Sequence, residues 1–72
     1  MEVLSSPYSV NTLLEEAVYC VDLAQTAESL YDFPMAMIFY QEAYYGYEAA
    51  GAVPEAKAIL TRFIAMMDIA FR

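Results

Sequence analysis

Proline stands at only three positions in this chain, Pro7, Pro34 and Pro54, and each opens a stretch in which apolar residues recur at helical spacing. Proline presets φ near the helical value and lacks the N–H that a helix's first turn leaves unbonded. It is therefore tolerated at a helix start and excluded from a helix interior. Around these prolines lie the side chains that start and stop helices. Ser6 precedes Pro7 as a capping residue, with Ser9 and Asn11 as competing caps, and Asp32 can cap the segment that Pro34 opens. Gly51 is a helix terminator just ahead of Pro54. The punctuation predicts helices over about 10–30, 33–49 and 54–71, within a single domain spanning 1–72. No alternating, strand-like pattern competes with them. Short connections make consecutive helices antiparallel neighbours, so the expected fold is all-α, a small three-helix antiparallel bundle. Periodicity does not separate a compact bundle from a helical hairpin with a third helix behind it.

The first helix has a polar stripe of Glu15, Tyr19, Asp22, Thr26 and Ser29. Its inner side holds Leu13, Ala17, Cys20, Ala24, Ala27 and Tyr31, widened by Leu14, Val18 and Val21. The third helix is expected to turn Ala56, Ile59, Leu60, Phe63, Met66, Met67 and Ala70 inward, with Met67 in the core and Met66 nearer the edge. Its polar side is Lys57, Thr61, Asp68 and Arg72, flanked by Ile64 and Ile69. The second helix departs from this pattern. Ala36, Phe39, Tyr40, Ala43, Tyr47 and Ala50 form one apolar stripe, yet Met37, Ile38, Tyr44 and Tyr45 sit beside Gln41 and Glu48 where a monomeric amphipathic helix would be polar. A helix apolar nearly all round is central in its bundle or engaged with another molecule.

Composition sharpens this. The chain is 61% hydrophobic and 15% aromatic, against roughly 45–50% apolar in ordinary globular chains. A domain of this size buries only about 60% of its unfolded surface, so some of that apolar surplus is expected at an interface. Charge is one-sided, with ten acids, three bases, no histidine and a net of −7. Residues 1–50 carry Glu2, Glu15, Glu16, Asp22, Glu28, Asp32, Glu42 and Glu48 and no base. Nucleic acid and anionic membranes, which need Lys and Arg, are disfavoured as partners. A basic protein surface is favoured, although acids also keep an apolar protein in solution. The single cysteine, the absence of an apolar run near ~18–20 residues and the lack of a signal-peptide pattern predict a cytoplasmic protein.

No catalytic, cofactor-binding or metal-ligating residue is predicted. Histidine, the usual general acid or base, is missing, one cysteine cannot make a zinc site, and Glu15 and Glu16 point apart on a helix. Cys20 falls on an inner stripe and reads as a packed thiol. The tyrosine cluster carries more. Tyr40 and Tyr47 are expected inside and Tyr44 and Tyr45 at an interface, since tyrosine combines rigid contact area with a polar tip. The expected function is non-enzymatic protein–protein interaction. The candidate partner-binding residues are Met37, Ile38, Gln41, Tyr44, Tyr45 and Glu48. Their occupant would be an apolar helix or peptide with basic residues, or alternatively a second copy of the chain in a homo-oligomer. A nucleic-acid-mimicking inhibitor is a weaker alternative, because it needs a dense carboxylate row and Glu15, Asp22, Glu28, Glu42 and Glu48 are spread over two helices.

The run Cys20-x-x-Leu23-Ala24-x-x-Ala27, followed by Ala36-x-x-x-Tyr40-x-x-Ala43, resembles the tetratricopeptide repeat. In that family small residues let two helices of a hairpin approach and an aromatic fills the gap between them. Tyr31-Asp32-Phe33 stands where the repeat's turn reads Gly-Asp-Tyr, while Cys20 replaces its tryptophan, Ala27 its aromatic and Glu48 its closing proline. A repeat-like hairpin followed by a third helix is also similar, over Leu13 to Phe71, to the microtubule-interacting and transport domain. That resemblance implies a three-helix bundle binding short helical or extended peptides in a groove between helices two and three, or one and three.

Overall fold

The computed structural model describes residues 9–72 as three α-helices, α1 (Val10–Ser29), α2 (Phe33–Ala49) and α3 (Val53–Ala70), with no strand among the described residues. Ser9, one of the competing caps, starts α1: its Oγ accepts the Thr12 N–H at 3.1 Å. The Ser6-Pro7 pair lies outside the described residues. Asp32 caps α2 by accepting the Met35 N–H at 3.3 Å, and Pro34 sits in the first turn. Pro54 occupies the first turn of α3, which begins one residue earlier than expected, at Val53.

Both connections use the same stop. After α1, the Asp32 N–H donates to the Ala27 carbonyl at 2.9 Å and the Tyr31 N–H to Glu28 at 3.0 Å. After α2, the Ala52 N–H donates to Tyr47 at 2.9 Å and the Gly51 N–H to Glu48 at 3.0 Å. These paired bonds are Schellman motifs, in which the residue just past the helix takes a left-handed conformation. Gly51 does so at φ 78 without strain, whereas Tyr31 does so at φ 61. Tyr31 was expected on the inner stripe of α1; it is instead outside the helix and 80% exposed, its ring edge-on to Phe33 at 6.1 Å. A left-handed L-residue costs roughly 1–2 kcal/mol, and the extra chain freedom of a glycine offsets roughly 0.4–1 kcal/mol of any relief. Tyr31→Gly is therefore expected to raise stability by a few tenths to about 1 kcal/mol, read as a higher urea midpoint at unchanged slope. A lower midpoint would show that the exposed ring contributes more than the backbone strain removes.

The helices form a hairpin with a third helix on its second arm. α2 packs against both α1 and α3, while α1 and α3 make no comparable backbone approach. The apolar girth of α2 thus has a structural cause, since it is the central element. Small residues bring α1 and α2 together. Ala17, Ala24, Ala36 and Ala43 are buried, and a Cβ on Gly46 would come within 3.1 Å of the Ala17 Cβ. The core joins all three helices, with Ala24, Ala27, Ala36, Tyr40 and Met66 at its centre and Val21, Phe33, Met37, Phe39, Ile59, Phe63 and Ala65 around them.

Tyr40 is the largest side chain on this seam. Fully buried, it donates its hydroxyl to Glu28 Oε1 of α1 at 2.9 Å. Arg62 of α3 donates to both oxygens of the same carboxylate, at 2.8 and 2.7 Å, and its guanidinium lies 5.8 Å from the Tyr40 ring centre. Half of the Arg62 side chain remains exposed, so this ion pair is worth less than about 1 kcal/mol. Its role is to align α3 with α1 across α2.

The inward direction of α3 differs from the expectation. Met66 is in the core at 2% exposure and Met67 is outside at 39%. The buried side follows Ala56, Ile59, Phe63 and Met66, stepping by three, four and three, which turns Leu60 and Met67 to the flank. Val18, expected to widen the inner arc of α1, is likewise exposed.

Candidate protein-binding face

Of the six residues singled out on α2, the structure turns one into the core and groups the rest along its outer side. Met37 packs against the central cluster. Ile38 is 46% and Tyr45 53% exposed, and Glu48 is exposed. Gln41 and Tyr44 are half-buried. Local bonds hold the side chains in place. The Tyr44 hydroxyl donates to Glu48 Oε2 at 2.9 Å, and Gln41 Nε2 donates to the Tyr45 hydroxyl at 3.3 Å. The two tyrosine rings lie 5.8 Å apart with a 58° tilt. Each contact joins residues one or four positions apart on one helix, so α2 presents the group without any loop.

Gln41, Tyr44 and Tyr45 form one wall of a hollow of about 110 Å³, whose other wall is Leu60 and Phe63 of α3. Its lining is mostly apolar. The volume suits one large apolar side chain. Leu60 and Phe63 were read as inner residues of the third helix, so sequence reasoning did not place them here. Beyond Leu60, Ile64 and Met67 follow at the fourth and seventh positions, both exposed, and extend the same side of α3. Glu42 lies on the α2 ridge between Ile38 and Tyr45, so carboxylates flank the apolar strip.

Ionisation adds little reactivity. The hydrogen bond to Glu48 holds the Tyr44 hydroxyl protonated, moving its pKa upward. Tyr47 is also raised, chiefly by burial. Cys20 is half-buried, and burial first, then the carboxylates of Glu42 and Glu16, push its thiol pKa up. Its thiolate fraction at neutral pH falls accordingly. Cys20 is expected to react with iodoacetamide more slowly than glutathione near neutral pH, with the gap closing as pH rises and its thiol ionises. A rate equal to that of free thiol at neutral pH would contradict this environment. Among the described residues no group of three potential metal ligands occurs, and no helix is long and apolar enough to cross a membrane.

Comparison with protein-family models, curated proteins and solved structures found no match to this chain.

Proposed function

We propose that this chain is a non-enzymatic protein-interaction module, an adaptor or regulator that takes an apolar helix or peptide of a partner against α2 and α3. The observation that carries this reading is the open hollow between Tyr44, Tyr45 and Leu60, with half-exposed Ile38 about one turn along α2 from Gln41. A side chain seated there would be walled by three aromatic rings and a leucine, the kind of pocket that holds an interface anchor. Glu48, which accepts from the Tyr44 hydroxyl at the hollow's edge, and the absence of bases from residues 1–50 favour Lys or Arg beside the partner's anchors. The finer kinship we assign is a tetratricopeptide-like hairpin with a third helix. Its support is the set of buried alanines Ala24, Ala36 and Ala43 beside buried Tyr40, in the spacing of that repeat. The setting we assign is the cytoplasm, where a lone thiol stays reduced.

The test is a fluorescence-anisotropy titration with two designed amphipathic helical peptides. Both carry leucine at i, i+3, i+4 and i+7, and they differ only in having Lys or Glu beside those anchors. The Lys-flanked peptide is expected to bind at least about tenfold more tightly at low salt, with the preference shrinking as salt rises. Equal affinity for both, or preference for the Glu-flanked peptide, would refute the assigned partner chemistry.

A further inference from the structure

A second apolar strip runs along α3 from Leu60, where it meets the groove. Val53, Leu60, Ile64, Met67 and Phe71 are all exposed, and Ile64 reaches 51%. Their spacing of seven, four, three and four is that of a heptad seam, with Lys57 at the position missing from it. These side chains lie on the flank of α3 next to the Ala56–Ile59–Phe63–Met66 side that packs on α2. An amphipathic helix of a monomer would be polar here. α3 therefore has two apolar sides, of which the fold covers one.

We propose that this seam pairs with its own copy, antiparallel, in a two-fold dimer of α3 helices. Electrostatics select α3 for that role. α1 carries Glu15, Glu16, Asp22 and Glu28 and α2 carries Glu42 and Glu48, with no base on either, whereas on α3 Glu55 and Asp68 are balanced by Lys57 and Arg62. Two chains of net charge −7 repel each other least across their one neutral helix. The seam also complements itself. In the antiparallel register centred between Leu60 and Ile64, Val53 meets the partner's Phe71, Lys57 the partner's Met67 and Leu60 the partner's Ile64. The Lys57 stem then covers the partner's Met67 while its ammonium reaches the partner's Asp68, and the two-fold axis makes each such contact twice. Asp68 accepts from Arg72 at 2.9 Å on an open surface, a weak bond that leaves the carboxylate free to be shared. A parallel pair would instead set Lys57 against Lys57. Leu60 borders both this seam and the groove.

Sedimentation velocity on the full chain, over a rising micromolar series, tests the proposal. The expected result is a concentration-dependent dimer. Ile64→Glu should be a single copy with an unchanged far-UV circular dichroism spectrum, and Phe71→Ser, at the exposed end of the seam, provides a second variant should Ile64→Glu lose helicity. Lys57→Glu and Asp68→Lys should each weaken the dimer about tenfold, and the two together should restore it. A wild-type chain that stays a single copy throughout overturns the proposal. So does a dimer indifferent to Ile64→Glu and Phe71→Ser, and reversals that fail to rescue each other overturn the antiparallel register. Because Leu60 is shared, the Lys-flanked peptide is also titrated into Phe71→Ser, whose substitution lies outside the hollow, so the groove is read without the seam and the two readings fail separately.

Discussion

Tyr40→Ala is expected to lower the unfolding free energy by about 3–5 kcal/mol, the range for removing a buried aromatic side chain. Small domains have only about 5–15 kcal/mol in total, and this one, with eight buried side chains among the described residues of which six are alanine, belongs at the low end. The loss has two parts. The larger is the void left where the ring fills the space between the close-packed alanines of α1 and α2 and the second half of α3 around Arg62 and Met66. The smaller is the Glu28 carboxylate, which loses the hydroxyl donor at 2.9 Å and the aromatic face beside its Arg62 partner. Tyr40→Phe separates them. It keeps the ring and removes only the hydrogen bond, so its expected cost is about 1 kcal/mol. Urea unfolding followed by far-UV circular dichroism reads both variants. Near-equal losses for alanine and phenylalanine would mean that the hydrogen bond, and not the packing, anchors the three helices.

The second large effect is on association. Ile38→Asp combined with Tyr45→Ser is expected to abolish binding of the Lys-flanked peptide, a loss of at least about 2 kcal/mol or thirtyfold, while helicity stays intact. Both side chains are about half exposed, Tyr45 lining the hollow and Ile38 about one turn along α2 from Gln41, so their removal leaves the central cluster of Ala24, Ala36, Tyr40 and Met66 untouched. Substitutions at such positions change stability by about 0.5 kcal/mol or less. Retained binding in the double variant would place the interface elsewhere on the molecule. Simultaneous loss of helicity and binding would show that Ile38 and Tyr45 serve the fold and not a partner.

Much of the architecture was legible because local chemistry dictates it. Asp32, Pro34, Gly51 and Pro54 act through their own backbone and near neighbours, and the helix ends fall within a residue of the positions they imply. Tyr31 shows where local reading stops. Nothing in its side chain favours a left-handed conformation, and it adopts one because the Schellman bonds of Glu28 and Ala27 place it there. α2 read as apolar all round because it is packed on two sides at once, a property of the helix's neighbours that no single-helix pattern contains. The same limit explains Met66 and Met67. α3 has two apolar stripes about equally rich, and which one faces inward depends on how Ile59 and Phe63 meet α2. The outer wall of the groove, Leu60 and Phe63, followed from that choice of side and was out of reach of periodicity alone. What did carry through was the grouping of Gln41, Tyr44 and Tyr45, since residues three and four apart on a helix meet whatever else surrounds them.

The hollow between α2 and α3 is where another chain is expected to bind. Amide chemical-shift mapping of the isotopically labelled chain, titrated with the Lys-flanked amphipathic peptide, tests that most directly. The predicted result is a saturable set of shifts concentrated on Ile38, Gln41, Tyr44, Tyr45, Leu60 and Phe63, with the outer face of α1 around Glu15, Tyr19 and Asp22 unmoved. Shifts that gather on α1, or no shifts up to millimolar peptide, would contradict it.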